Sequence, residues 1–419
     1  MQLRLRGAIV LSRALSRAGW PAVKNPLGDL PNEVRALVGV GFMVALGFGI
    51  VSPDIPLFAT KFGVSAAATG AVVGAFAFSR LIMAPFVGRL VNAAGERVIL
   101  ATGIGVVAVS SALAGLSQSY WQLLVLRGIG GLGSIMFSVS AAGLIIRVTP
   151  SHQRGRAQGV WAGSFLIGLI AGPAAGSIFP FSLRAPFFFY AGTLVVAGTI
   201  GLASLRKSEL AARQTARLEP MALSAALRNR AYLACLAASF AGDFAIVGSR
   251  SSVVPLFIRH HLHLSKSWVY LAFLVVSLVS GALLLPFGRI ADSRGRRPVI
   301  IAGLTIGAIG FVLLPNAPSR IGLLACMVLL GFAGASDSVA PGAMLGDIAG
   351  GRGGTVIAVF QMAGDLGAVL GPILAGWMAD GAGFGAAFAL SAAVSLAPVP
   401  LVALAKETLV RDSAERVTI

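Results

Sequence analysis

Apolar residues in this chain run in long blocks. They do not follow the alternating pattern of a half-buried strand or the one-faced stripe of a soluble amphipathic helix. Stretches of about 20 predominantly apolar residues match the hydrocarbon thickness of a bilayer. Read this way, the sequence predicts twelve spans, near 35–59, 66–88, 98–117, 121–146, 158–180, 186–205, 231–258, 267–288, 298–315, 321–346, 355–378 and 385–405. Short basic or Gly/Pro-containing segments separate them. Lipid offers no water to unpaired backbone groups, so blocks of this length imply helices, and the fold class expected is all-α integral membrane.

The pattern repeats. Pro56-Leu57-Phe58 recurs as Pro255-Leu256-Phe257, Gly88-Arg89 as Gly288-Arg289, and Arg154-Gly155 as Arg352-Gly353. Gly168, Gly172 and Pro173 recur as Gly367, Gly371 and Pro372. The offsets, 199, 200, 198 and 199, share one register. Two pseudo-symmetric six-helix bundles are expected, at 35–205 and 231–405. Each has an even number of spans, so both run in the same sense and are related by an axis along the membrane normal. The remainder divides into a basic arm (1–34), a linker (206–230) with one surface helix around Met221 to Leu227, and a tail (406–419).

Composition changes the picture only through charge. Of 419 residues, 57% are hydrophobic and 11% charged, which excludes an ordinary soluble chain. The net charge of +18 could suggest nucleic-acid binding, but its placement argues otherwise. With the N-terminus inside, 25 of the 33 Lys and Arg fall on the inner segments, 5 in outer loops and 3 (Arg80, Arg127, Arg250) within spans. This positive-inside pattern predicts a multi-pass protein of the plasma or inner membrane with both termini cytoplasmic. The arm lacks an unbroken apolar core, because Arg13 and Arg17 interrupt it, and reads as a membrane-lying segment. Cys235 and Cys326 lie in apolar spans and read as small hydrophobes.

Two loops carry the most specific pattern. Gly88 to Arg97 reads G-R-L-V-N-A-A-G-E-R, including Arg89, Asn92 and Gly95, and Gly288 to Arg297 reads G-R-I-A-D-S-R-G-R-R, including Arg289, Asp292, Gly295 and Arg296. The second resembles the signature loop of the major facilitator superfamily, G-x-L-A-D-R-x-G-R-R. In that family the acidic residue engages the opposite bundle. Asn92 replaces it in the first copy, which removes the charge-assisted part of that bond.

Other segments extend the resemblance over nearly all of 35–405. Gly168-x-x-x-Gly172-Pro173-x-x-Gly176 and Gly367-x-x-x-Gly371-Pro372 resemble the signature of drug:proton antiporters. Glycines four apart form a smooth face for close helix approach. Leu46-Gly47 followed by Pro53-Asp54-Ile55-Pro56 resembles the twelve-span branch of those antiporters. Arg127-x-x-Gly130-Gly131 resembles the family's R-x-x-Q-G motif, in which the Arg tunes a nearby carboxylate. Gly128 to Gly133 also match G-x-G-x-x-G, but inside an apolar helix, where a dinucleotide cannot be cradled.

Charges within spans are costly and mark sites. The candidates for proton coupling or substrate binding are Asp243, Asp365, Asp337, Arg127, Asp54 and Arg250, with Arg80 a further charge within a span. At 1.5 Å per residue, Asp243 lies roughly 18 Å and Asp365 roughly 15 Å into their spans, near the midplane. Asp337 is expected closer to the cytoplasm, and Asp54 at a wet outer mouth. Asp243 and Arg250 share a face two turns apart. An ion pair between Asp365 and Arg127 is the structural alternative to a proton site.

Arg259-His260-His261-Leu262-His263 reads as a solvated outer loop. No metal site, catalytic constellation or cofactor is expected, and the proton gradient is the energy source.

The resemblance implies alternating access around a cavity lined by spans one, four, seven and ten. The expected function is proton-coupled efflux of small amphipathic molecules or drugs by a monomer that meets lipid, protons and its solute but no nucleic acid. A sugar or amino-acid exporter or symporter is the alternative, and a non-transporting sensor or scaffold a further one.

Overall fold

The structure, a computed structural model, describes residues 30–149, 153–179, 181–205, 223–317, 319–349 and 354–409. Most of the arm, the linker up to residue 222, Arg352-Gly353 and the tail from residue 410 lie outside the described residues. The first bundle consists of α1 (Asn32–Val51, continued by Asp54–Ala59), α2 (Ala66–Ala94), α3 (Glu96–Leu116), α4 (Tyr120–Val148), α5 (Arg154–Gly176) and α6 (Ala185–Leu205). A short helix, Leu223–Leu227, precedes the second bundle. That bundle begins with α7, which is α-helical over Arg230–Asp243, π-helical over Phe244–Val253 and ends at His261. It continues with α8 (Lys266–Arg294), α9 (Arg296–Leu313) and α10 (Arg320–Ala349).

The last long run, Gly354–Leu396, is two helices. Gly383 sits at φ +84°, a left-handed conformation that breaks the chain into α11 (354–382) and α12 (384–404). Among the described residues eleven helical runs are long and apolar enough to span a membrane, and the break in the last makes twelve. Gly95 (φ +83°) and Gly295 (φ +113°) turn the chain sharply between α2 and α3 and between α8 and α9, at the same place in each half. Arg259 to His261 finish α7 as a π turn, not a loop, and His261 stacks on Phe257 at 5.0 Å.

The repeated glycines fix the packing inside each bundle. A Cβ on Gly168 would lie 2.5 Å from the Phe42 carbonyl oxygen, and one on Gly172 would lie 2.5 Å from the Gly49 backbone, so α5 lies directly on α1. In the second half a Cβ on Gly367 or Gly371 would likewise collide with the Phe240 or Phe244 carbonyl, which seats α11 on α7.

The bundles meet along two seams, α2 against α11 and α5 against α8. α1 starts, and α2 ends, at what we term the terminal end; the opposite end is the far end. In the far half, glycines touch the opposite bundle: Gly70 meets the Pro372 carbonyl, Gly376 the Ala66 carbonyl, and Gly176 the Tyr270 ring. In the terminal half Gly88, Gly159, Gly163 and Gly288 face open space. The bundles are therefore closed on one another at the far end and part towards the terminal end.

Candidate functional site

The charges within the spans gather where the bundles meet. Arg80 of α2 donates from Nε to Asp365 Oδ1 of α11 at 3.0 Å, across the seam. Its Nη1 also donates to the hydroxyls of Ser134 and Ser138 on α4, at 3.0 and 3.4 Å. Asp365 thus pairs with Arg80, not with Arg127. Asp243 lies in the field of Asp365, Arg80 and Arg250, and its Oδ2 sits against Gly364, one residue before Asp365. Asp337 of α10 packs its Oδ1 against Gly242 and interacts with Asp243 and Arg250. Arg250 Nη1 lies against Gly334, one turn before Asp337. Asp337, expected nearer the terminal end, belongs to this same group.

The group holds three carboxylates and two guanidiniums. Fully ionised, it carries one surplus negative charge, which a single proton would cancel. Arg80 and Asp365 are 21% and 12% exposed, enough to reach the space between the bundles. The π-helical stretch begins at Phe244, directly after Asp243, and Gly248 within it packs against Gly371. A π turn widens the helix and re-aims the residues that follow, as it commonly does at functional sites. It alters the phase of Arg250 relative to Asp243, which sequence spacing cannot register.

Arg127 stands apart. It is buried, forms no ion pair among the described residues, and lies 4.6 Å over the Phe76 ring. Among the described residues no carboxylate pairs with it for it to tune.

Asp54 differs from expectation more sharply. It is wholly buried, because α8 of the other bundle closes over it. Lys266 Nζ pairs with Asp54 Oδ1 at 2.8 Å, and the Tyr270 hydroxyl donates to Oδ2. The same ammonium donates to the carbonyls of Phe179 and Ser182, at 3.1 and 2.7 Å. On the other seam Asp380 of α11 accepts from the backbone N–H groups of Ala66 and Ala67, both at 2.8 Å. Ala66 and Lys266 are the first helical residues of α2 and α8, 200 positions apart. Each is thus held by a carboxylate from the opposite bundle.

The signature loops lie at the terminal end. Asp292 is 72% exposed and accepts from Arg296 of its own bundle, so it does not engage the opposite one in this structure. The reason is the separation of the bundles at that end. Of the Asn92 side chain nothing is described. Arg296 Nε also donates to Asp347 at 3.1 Å. In the first half Arg147 pairs with Glu96. These two ion pairs occupy equivalent positions, 200 residues apart, with the charges exchanged. Glu407, beyond α12, accepts from the backbone N–H of Arg296 and Arg297 at 2.9 and 3.2 Å and so caps α9.

Sequence reasoning placed the cavity on spans one, four, seven and ten. That set leaves out α2, although Arg80, counted among the charges within spans, supplies the bond across the seam. An arginine within a span, half-way along α2, was the signal available.

Comparison with known proteins agrees with this geometry. The human organic anion transporter MFSD10 (TETRAN) shares the fold with a TM-score of 0.65 at 17% identity, over 88% of this chain and 99% of that one. Multidrug resistance protein MdtG of Proteus mirabilis (strain HI4320) is 29% identical over 370 residues, 84% of this chain and 90% of the relative. Quinolone resistance protein NorA of Staphylococcus aureus (strain MRSA252) is 34% identical over 154 residues, 36% of this chain and 39% of NorA. The family model for the Major Facilitator Superfamily matches twice, at residues 37–251 and 249–416, once on each half. With twelve spans in two equivalent bundles and charges gathered where they meet, the chain belongs to the Major Facilitator Superfamily and is a multi-pass membrane transporter, not an enzyme.

Proposed function

We propose that this transporter exports small amphipathic molecules, drugs among them, in exchange for protons. The basic terminal end faces the cytoplasm of a plasma or inner membrane, and the structure then represents the cytoplasm-open conformation. The observation that carries the reading is the cluster of Arg80, Asp243, Arg250, Asp337 and Asp365, which joins both bundles and carries one more carboxylate than it has cations. A proton or the cationic part of a solute can cancel that surplus, and the two compete for it. Competition at one site is what exchange requires. Since the Arg80–Asp365 bond crosses the α2–α11 seam, the charge state of the cluster also bears on how the bundles sit. The names of MdtG and NorA, which refer to drug resistance, support export over uptake.

The test is dye efflux from proteoliposomes under an imposed pH gradient, with Asp243→Asn, Asp337→Asn and Asp365→Asn made singly. At least one substitution should abolish the response to the gradient while dye binding persists. Undiminished proton-driven efflux in all three would overturn the assignment.

A further inference from the structure

Among the described residues, every buried charge near the midplane enters the cluster except Arg127. This residue is 5% exposed, and its Nε has no hydrogen-bond partner. A guanidinium at this depth is costly to retain without a counter-charge. What it has is an aromatic wall. Its guanidinium lies 4.6 Å over Phe76, Phe76 is 6.1 Å from Phe48, and Phe48 is 6.3 Å from Tyr190. Phe48 and Phe76 are only half-buried, so one ring separates the cation from accessible space. Ser79 presses its hydroxyl towards Gly128, the next residue along α4. Seven residues further along α4, Ser134 binds Arg80 of the cluster, which places Arg127 about 10 Å away along the helix axis.

Two poles of opposite sign therefore lie along one helix: a cluster with surplus carboxylate, and a lone cation set in aromatic rings. We propose that Arg127, with Phe48 and Phe76, is the subsite for the anionic end of an aromatic solute. A carboxylate arriving there replaces a cation–π contact with a charge-assisted, two-pronged bond that a guanidinium is shaped to make. The rings stack on the aromatic body. This specificity rests on the export reading above and adds a solute class to it: aromatic molecules that carry a carboxylate.

Rhodamine 110, which has a free carboxylate, and rhodamine 123, its methyl ester, separate the two ideas. Binding to the purified full-length protein in nanodiscs is read by fluorescence polarisation. Wild type should bind the acid about tenfold more tightly than the ester, the lower end for a charge-assisted bond. Arg127→Gln should lose that preference while keeping its affinity for the ester. Arg127→Lys should keep part of it, and decides the matter if the glutamine variant does not fold. Equal binding of acid and ester by wild type, or a preference that survives in Arg127→Gln, overturns the subsite and leaves export standing. Failure of both dyes to bind overturns both.

Discussion

The far-end clasp of Asp54, Lys266 and Tyr270 offers a test with an unusual sign pattern. Asp54 is fully buried and Lys266 only 10% exposed, so their pair is sheltered from solvent in the closed far end. Removing one partner of a buried pair costs about 3–5 kcal/mol, because the other charge is left stranded. In Asp54→Leu, Lys266 keeps the carbonyls of Phe179 and Ser182, which points to the lower figure, about 3 kcal/mol. The stranded ammonium regains water when the far end opens, so the loss falls on the closed state alone. At about 1.4 kcal/mol per factor of ten, the equilibrium shifts roughly a hundredfold towards far-end opening. Lys266→Met strands the carboxylate instead and shifts it the same way. Replacing all three, as Asp54→Leu with Lys266→Met and Tyr270→Phe, leaves no stranded charge, only the part-exposed carbonyls of Phe179 and Ser182, and restores closure, since apolar replacement of a buried pair is close to neutral. Spin labels on cysteines introduced at the exposed positions Gln118 and Asn316, one in each bundle, report the far-end distance by pulsed EPR in nanodiscs. Single variants at the wild-type distance, or a triple variant as open as the singles, would refute the reasoning.

Two further outcomes are expected. Gly172→Ala puts a methyl 2.5 Å from the Gly49 backbone and should cost about 1–3 kcal/mol, seen as a lower unfolding temperature in detergent; Gly159→Ala, in open space, should leave it unchanged. The Glu407 carboxyl would be raised by burial, but hydrogen bonds from the backbone N–H of Arg296, Leu409, Arg297 and Thr408 outweigh this and hold it below its ordinary value of 4.5. Its contribution is therefore present above that value and lost as pH falls through the lower folded one. Being exposed, it is worth less than about 1 kcal/mol. The difference in unfolding temperature between wild type and Glu407→Gln should be constant at neutral pH and vanish in acid; a difference that persists below about pH 3 would contradict it.

The fold was legible because bilayer thickness, backbone satisfaction and duplication each leave a mark along the chain. Apolar blocks gave the spans, and the glycines at 168, 172, 367 and 371 lie at the close helix contacts their spacing implied. The charges were legible as a set but not as partners. Pairing depends on which helices face one another, and Arg80 meets Asp365 from a position 285 residues distant. Asp54 looked wet because it follows a proline near a span end, and only the approach of α8 buries it. The change in helical phase after Asp243 comes from a π-helical stretch that no residue pattern announced.

The exchanged ion pairs, Glu96 with Arg147 and Arg296 with Asp347, bear on how a duplicated protein assembles. Two halves of common design, inserted one after the other, could pair α3 with α10 or α9 with α4. The first mispairing would set Glu96 against Asp347, the second Arg296 against Arg147. Both bring like charges together at a helix end, while the correct pairings bring opposite ones. A reversal of polarity that leaves each bundle equally well held thus acts as a key, by which each half recognises its own helices and refuses its twin's.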